Sequence, residues 1–176
     1  ATVVLDDQPT VDFIPDSSSI SASLSTGVAT PDADIIANGI FSSLITITIR
    51  DVNGNPIPGV EVDVSSTGTG NTITQPTAPT DAAGETTASM VTTVPELKTL
   101  TFLADPLGQA VVLDVHPTIA FIPNISPSLS SAVVNPNVDV VADGIQTALI
   151  TVTVIDSFGA PALGPVSYTH LTLPTK

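Results

Sequence analysis

Residues 44–51 read LITITIRD, with Ile45, Ile47 and Ile49 alternating against Thr46 and Thr48. A period of two puts the isoleucines on one face and the threonines on the other, as in a half-buried β-strand. Val60, Val62 and Val64 alternate with Glu61 and Asp63 in the same way. Further strands are predicted over residues 20–24, 34–37, 71–77, 86–92, 98–104 and 109–122, the weakest being 71–77. Between them lie turn signals: DVNGNPIPG from Asp51, TDAAGE from Thr80 and DPLG from Asp105. No stretch has the 3.6-residue period of a helix. The reading is all-β, with Ile45, Ile47, Ile49, Val60, Val62, Val64 and Phe102 facing inward and Thr46 and Thr48 facing out.

The pattern occurs twice. VVLDDQPTVDFIPD, from Val3 to Asp16, matches VVLDVHPTIAFIPN, from Val111 to Asn124, at an offset of 108. Residues 39–59 match residues 144–164 at an offset of 105, with 10 identities in 21 positions. A period near a hundred residues is too long for a solenoid repeat and has the size of one β-sandwich domain. The phase divides the chain. Residues 1–16 read as the last strand of a preceding module with its linker, 17–123 as a complete module, and 124–165 as a second module cut short. FIPD and FIPN mark the junctions. Their prolines remove a ladder donor and favour extended neighbours, so the linkers are expected to be short and stiff.

The register of the repeat fails at Pro165. The stretch from Val166 to Thr175, VSYTHLTLPT, resembles the translation of a transposase mosaic end continued into its primer site, a sequencing adapter, in all ten residues. Residues 166–176 are therefore read as a non-native tail that interrupts the second module.

Composition agrees with the strand reading. Ser and Thr make up about a quarter of the 176 residues, aromatics only 3%, and Trp is absent, so the core must be aliphatic. With no Cys, disulfides and thiolate chemistry are excluded. Seventeen acids stand against Arg50, Lys98 and Lys176, a net charge of −14. That is the reverse of a nucleic-acid footprint. No run approaches the length of a membrane span, so no membrane insertion by these residues is expected.

Ala37, Asn38, Gly39, Thr46, Thr48, Asp51, Gly54, Asn55, Pro56, Gly59 and Val62, with their counterparts in ADGIQTALITVTVIDSFGAPALG, carry an ordered pattern. It resembles the bacterial Ig-like domain of group 1, the invasin/intimin type, whose T-D-x-x-G segment has a counterpart in TDAAGETTASM from Thr80. Asn38 departs from that family's usual Asp, which Asp143 keeps. The resemblance covers nearly the whole chain except the tail. It implies Ig-like antiparallel sandwiches strung in tandem on bacterial surface proteins, many of them adhesins. Similar D-x-x-G-x-P-x-x-G turns occur in carboxypeptidase regulatory-like and collagen-adhesin B-type sandwiches.

Candidate chemistry is sparse. His116 lies opposite Gln8 of the earlier copy, and no second ligand accompanies it, so it reads as an ordinary strand residue rather than a zinc ligand or base. Asp51, Asn53 and Asn55 place oxygens as a calcium loop does, but Pro56 and Val62 stand where an EF-hand needs Gly and Glu. The second copy replaces Asn53 by Phe158 and Asn55 by Ala160. Asp16, Asp32 and Asp34 are the acids near a junction where cadherin-like rods hold calcium. For all of these the reading adopted is solvated turn carboxylates. The acids have no aromatic platform to hold a sugar, and no G-x-S-x-G elbow exists. No residue is assigned a catalytic, cofactor-binding or metal role, and no enzymatic activity is expected.

The function expected is a structural and adhesive one: a stalk or spacer module of an extracellular, cell-surface or secreted bacterial protein. Its expected partners are neighbouring modules and, through an adhesive region, a surface protein or glycan of a host or neighbouring cell. The alternative is an accessory module of a secreted multidomain enzyme, binding carbohydrate or protein.

Overall fold

The computed structural model describes residues 19–162. The expected last strand over residues 1–16, and the adapter-like residues 166–176, lie outside the described residues. Described here are eleven strands and no helix: β1 (Thr26–Thr30), β2 (Ile35–Ile36), β3 (Ser43–Thr48), β4 (Val62–Ser66), β5 (Asn71–Thr74), β6 (Glu85–Thr92), β7 (Leu97–Ala104), β8 (Val111–Val112), β9 (Thr118–Ile122), β10 (Ser131–Asn135) and β11 (Leu149–Thr153). The first nine form an all-β, Ig-like sandwich. One sheet has the order β1-β3-β6-β5; the other has β2-β9-β7-β4, with β8 on the free end of β7. Every pairing is antiparallel except β2 with β9.

Period-two alternation sets which side chains fill the space between the sheets. Ile45, Ile47 and Met90 come from one sheet, Val62, Val64, Leu100, Phe102, Ile119 and Phe121 from the other, and all are buried. Ile49 and Val60, just outside the strands, join them. Thr46 faces outward and is half-buried, as the alternation requires. Thr48 departs from expectation: it shares that outer face, yet is only 8% exposed. It pairs with Glu85 in register, and its Oγ1 donates to Glu85 Oε1 at 3.4 Å.

Two expected strands are corrected. Residues 20–24 are not a strand. Ile20 makes one bridge to Asp51, and the chain then turns. Ser21 and Ser25 are buried while Leu24 is exposed, the reverse of an apolar-inward strand. The serines hold backbone: Ser21 Oγ accepts Leu24 N–H at 3.2 Å, and Ser25 Oγ accepts Arg50 N–H at 3.0 Å. Short hydroxyl side chains offer the backbone an alternative to the ladder, and here that alternative wins. The expected strand over residues 109–122 is split into β8 and β9. The break falls before Pro117, which has no N–H to donate.

The second copy repeats the first in geometry as well as in sequence. β10 pairs β11 from Ser131↔Thr153 to Asn135↔Leu149, the pairing of β1 with β3 displaced by 105 residues at every position. The bridges Ile125↔Asp156 and Ile155↔Pro161 repeat Ile20↔Asp51 and Arg50↔Pro56. Ser130 Oγ accepts Ile155 N–H at 3.0 Å, as Ser25 does from Arg50.

Candidate functional site

Four turns share the sequence D-x-x-G-x and one hydrogen-bonding scheme. In each, the glycine N–H donates to the aspartate carbonyl: Gly54 to Asp51, Gly84 to Asp81, Gly108 to Asp105 and Gly159 to Asp156, at 2.9–3.1 Å. In each, the aspartate carboxylate accepts the N–H of the fifth residue: Asn55 at 2.9 Å, Glu85 at 3.0 Å, Gln109 at 2.7 Å and Ala160 at 2.8 Å. Three of the glycines, Gly54, Gly84 and Gly159, have φ between 75° and 85°, a conformation that other residues adopt at a cost. Aspartate thus supplies the acceptor and glycine the backbone freedom, which is why this residue pair recurs at this spacing.

Asp51, the first candidate ligand, is 1% exposed. Its Oδ1 accepts N–H from Asn53 and Asn55 at 2.8 and 2.9 Å, and its Oδ2 accepts Asn55 Nδ2 at 2.9 Å. The carboxylate is directed into its own turn, and Asn55 meets it with a donor rather than an oxygen. Asp156 repeats this with Phe158 and Ala160 and is also buried. Loss of the two asparagines in the second copy therefore leaves the turn intact, because the essential donors are backbone.

The remaining candidates are scattered. Asp32 and Asp34 are exposed beside β2, and Asp34 has φ 57°. Asp16 lies outside the described residues. His116 is exposed, with Nδ1 3.2 Å from Leu100 O; a carbonyl only accepts, so Nδ1 carries the proton there. Among the described residues, no group of three or more His, Asp or Glu is placed to hold a metal ion.

Sequence reasoning missed Lys98. It is fully buried, on the inward face of β7 with Leu100, Phe102 and Ala104. Its Nζ donates to Thr69 O at 2.7 Å and pairs with the Glu96 carboxylate, which also accepts Thr69 N–H at 3.0 Å. The Lys98 hydrogen bond, with that of Thr69, holds the Glu96 carboxyl below the usual carboxylate range. The signal was present: in KTLTFLA, alternation puts Lys98 in phase with the core.

Among the described residues, this geometry brings no metal-ligating cluster together. What it presents is a sandwich with reinforced turns, and comparison with known proteins gives that sandwich its family. The profile of the bacterial Ig-like domain (group 1) matches residues 18–115, more than half of the chain. The chain belongs to this family. Among solved structures, this Ig-like chain is similar to invasin, described as a bacterial integrin-binding protein, at 26% identity and a TM-score of 0.69 over 83% of the chain and 29% of invasin. It is similar to InvD of Yersinia pseudotuberculosis at 31% identity and a TM-score of 0.58, over 77% of the chain and 38% of InvD. For the Yersinia pseudotuberculosis adhesin InvE the values are 27% and 0.54, over 82% of the chain and 38% of InvE. The chain thus spans well under half the length of these structures.

Proposed function

We propose that this chain is a stalk segment of a bacterial surface adhesin, a mechanical spacer that carries an adhesive region away from the cell. Family membership and the likeness to invasin and InvE support an adhesin-type setting. The spacer role rests on the junction. β9 ends at Ile122, Pro123 follows, and Asn124 is already tied into the second copy. Asn124 O accepts Ser157 N–H at 2.7 Å, and Asn124 Nδ2 donates to Ser157 Oγ at 2.9 Å. One proline is then the whole free linker, and its fixed φ limits bending. In this reading 17–123 is a complete module, 124–165 the beginning of the next, and the turn aspartates brace loops rather than bind metal. Host contact, of the kind that invasin makes with integrin, belongs to another part of the parent protein, outside the cell.

The chain has no Cys, so two introduced cysteines take spin labels uniquely. Labels at Thr87 and Ser128 span the junction, both positions being exposed. A narrow distance distribution is expected, broadening when Gly-Gly-Ser is inserted after Pro123. A distribution as broad without the insertion as with it would remove the stiff-spacer reading.

A further inference from the structure

β4 is the edge strand of its sheet, and edge strands invite a further strand. Successive residues of a strand direct their backbone groups to opposite sides. Glu61 O accepts Asp105 N–H from the β7 side, so Val60, Val62 and Val64 turn their backbone groups to the open side. That side is covered in an unusual way. After β5, in the opposite sheet, residues 75–80 (QPTAPT) cross over and run antiparallel beside β4. At one end, Gln75 imitates a peptide group: Val64 N–H donates to its Oε1 at 2.8 Å and its Nε2 donates to Val64 O at 2.7 Å. At the other, Val60 N–H donates to Thr80 Oγ1 and Thr80 N–H to Val60 O, both at 2.9 Å. Between these rungs lies a cavity of about 170 Å³, lined by Val62, Gln75 and Pro79 among others. It has room for water, but not for a strand. Residues 75–80 are not a regular strand, and Pro76 and Pro79, with their fixed φ, flank Thr77 and Ala78, the residues level with Val62.

We propose that residues 75–80 are a latch that closes the β4 edge to strand addition by a second copy of this chain, with the Gln75 amide as its releasable rung. The edge is self-complementary in the antiparallel sense, so two opened copies can join about a two-fold axis through Val62. Such a pair brings Glu61 of each copy opposite Asp63 of the other, and both residues are exposed. Like charges directly opposed disfavour pairing, a second guard behind the latch. One side chain therefore carries a rung that a strand residue would otherwise supply. The latch fills the rungs at Val60 and Val64 and leaves no room for a further strand between them.

The test is amide exchange by NMR on the full chain carrying Gln75→Leu, in about 1 M salt, where charges are screened within about 3 Å. In dilute solution the Val64 amide should exchange about tenfold faster than in the wild type, having lost its acceptor. As concentration rises, the Val62 and Val64 amides should regain protection in the variant and show no such dependence in the wild type. Gln75→Glu keeps the acceptor for Val64 N–H but loses the donor to Val64 O, and should fall between the two. Thr77→Ala, in the same segment, should behave as wild type. Unchanged amide rates at Leu100 and Phe102 report an intact core. The latch is overturned if Val64 exchanges at the wild-type rate in Gln75→Leu, or if the opened edge gains no protection with concentration.

Discussion

Gly27 lies flat against the ring of Phe102: a Cβ at position 27 would fall 2.3 Å from Phe102 Cε2. Gly27 is on β1 and Phe102 on β7, so the two sheets meet here with no side chain between backbone and ring. The second copy differs at the corresponding pair of positions. It has Ala132 opposite Val152 where the first has Gly27 opposite Ile47. One carbon is gained on β10 and one lost on β11, so the pair keeps its volume.

Gly27→Ala should therefore destabilise by about 1–3 kcal/mol on chemical denaturation, the cost of overpacking a filled core. Phe102→Leu in the same chain should recover part of that loss, giving a coupling energy in a double-mutant cycle. Strict additivity would show that the ring is not what opposes the methyl group. Ile47→Ala, by contrast, leaves a cavity and should cost about 2–5 kcal/mol.

Asp51→Ala should unfold the module at distinctly lower denaturant, by about 1–3 kcal/mol, because the backbone N–H groups of Asn53 and Asn55 lose a charged acceptor. Asn55→Ala removes only the side-chain donor to Oδ2 and should cost less, as the natural Ala160 in the second copy indicates. Equal losses would mean that the side-chain bond, not the backbone scheme, holds the turn.

Millimolar calcium should leave the melting temperature unchanged, since the Asp51 carboxylate already accepts donors within its turn. A site binding the native state alone stabilises by RT ln(1 + [L]/Kd), so a tight one would be visible. A rise that chelator reverses would restore Asp51, or the junction acids Asp32 and Asp34, as ligands.

The Glu96 carboxyl is held low in the folded state, first by the Lys98 hydrogen bond and then by Thr69 N–H. A depressed folded pKa stabilises above the unfolded value, and that contribution is lost as pH falls through the folded value. Asp143 adds to the same trend, its carboxyl lowered by the N–H groups of Gln146 and Ile145. Melting temperature should thus decline as pH drops below the ordinary carboxylate range, and Glu96→Gln should flatten that decline. A Glu96→Gln profile parallel to wild type would separate the ion pair from acid sensitivity.

A peptide of residues 124–176 should show no cooperative thermal transition. Ile150 and Val152 are 54% and 58% exposed, whereas their counterparts Ile45 and Ile47 are fully buried. The described residues of the second copy form two strands and no opposing sheet, and such a unit has too little to bury. A sharp transition by circular dichroism would show that the hairpin finds another partner for that face.

Features with local causes were readable from the residues alone. Alternation in LITITIRD settles which face of β3 is apolar, because the pleat repeats every two residues whatever it packs against. The D-x-x-G turns are equally local: an aspartate oxygen closes each within five residues, and in three of the four the glycine has positive φ. The repeat carried this reading into β11, the counterpart of β3, whereas β1 and its counterpart β10 were not among the expected strands. Three things needed the tertiary structure. Residues 20–24 alternate like a strand, yet the Ser25 hydroxyl and the Ser21 N–H both bind the backbone of Arg50, 25 or more residues away, and only the fold brings Arg50 there. Lys98 is in phase with the core, but that a lysine can stay there depends on Glu96 and the carbonyl of Thr69, supplied by a loop between β4 and β5. Gln75 falls inside the weak strand expected over residues 71–77, but β5 ends at Thr74, and the role of Gln75 exists only because the chain crosses there from one sheet to the edge of the other. Local chemistry chose the strands and turns. Which polar groups each would have to satisfy was decided by what the second sheet brought beside it.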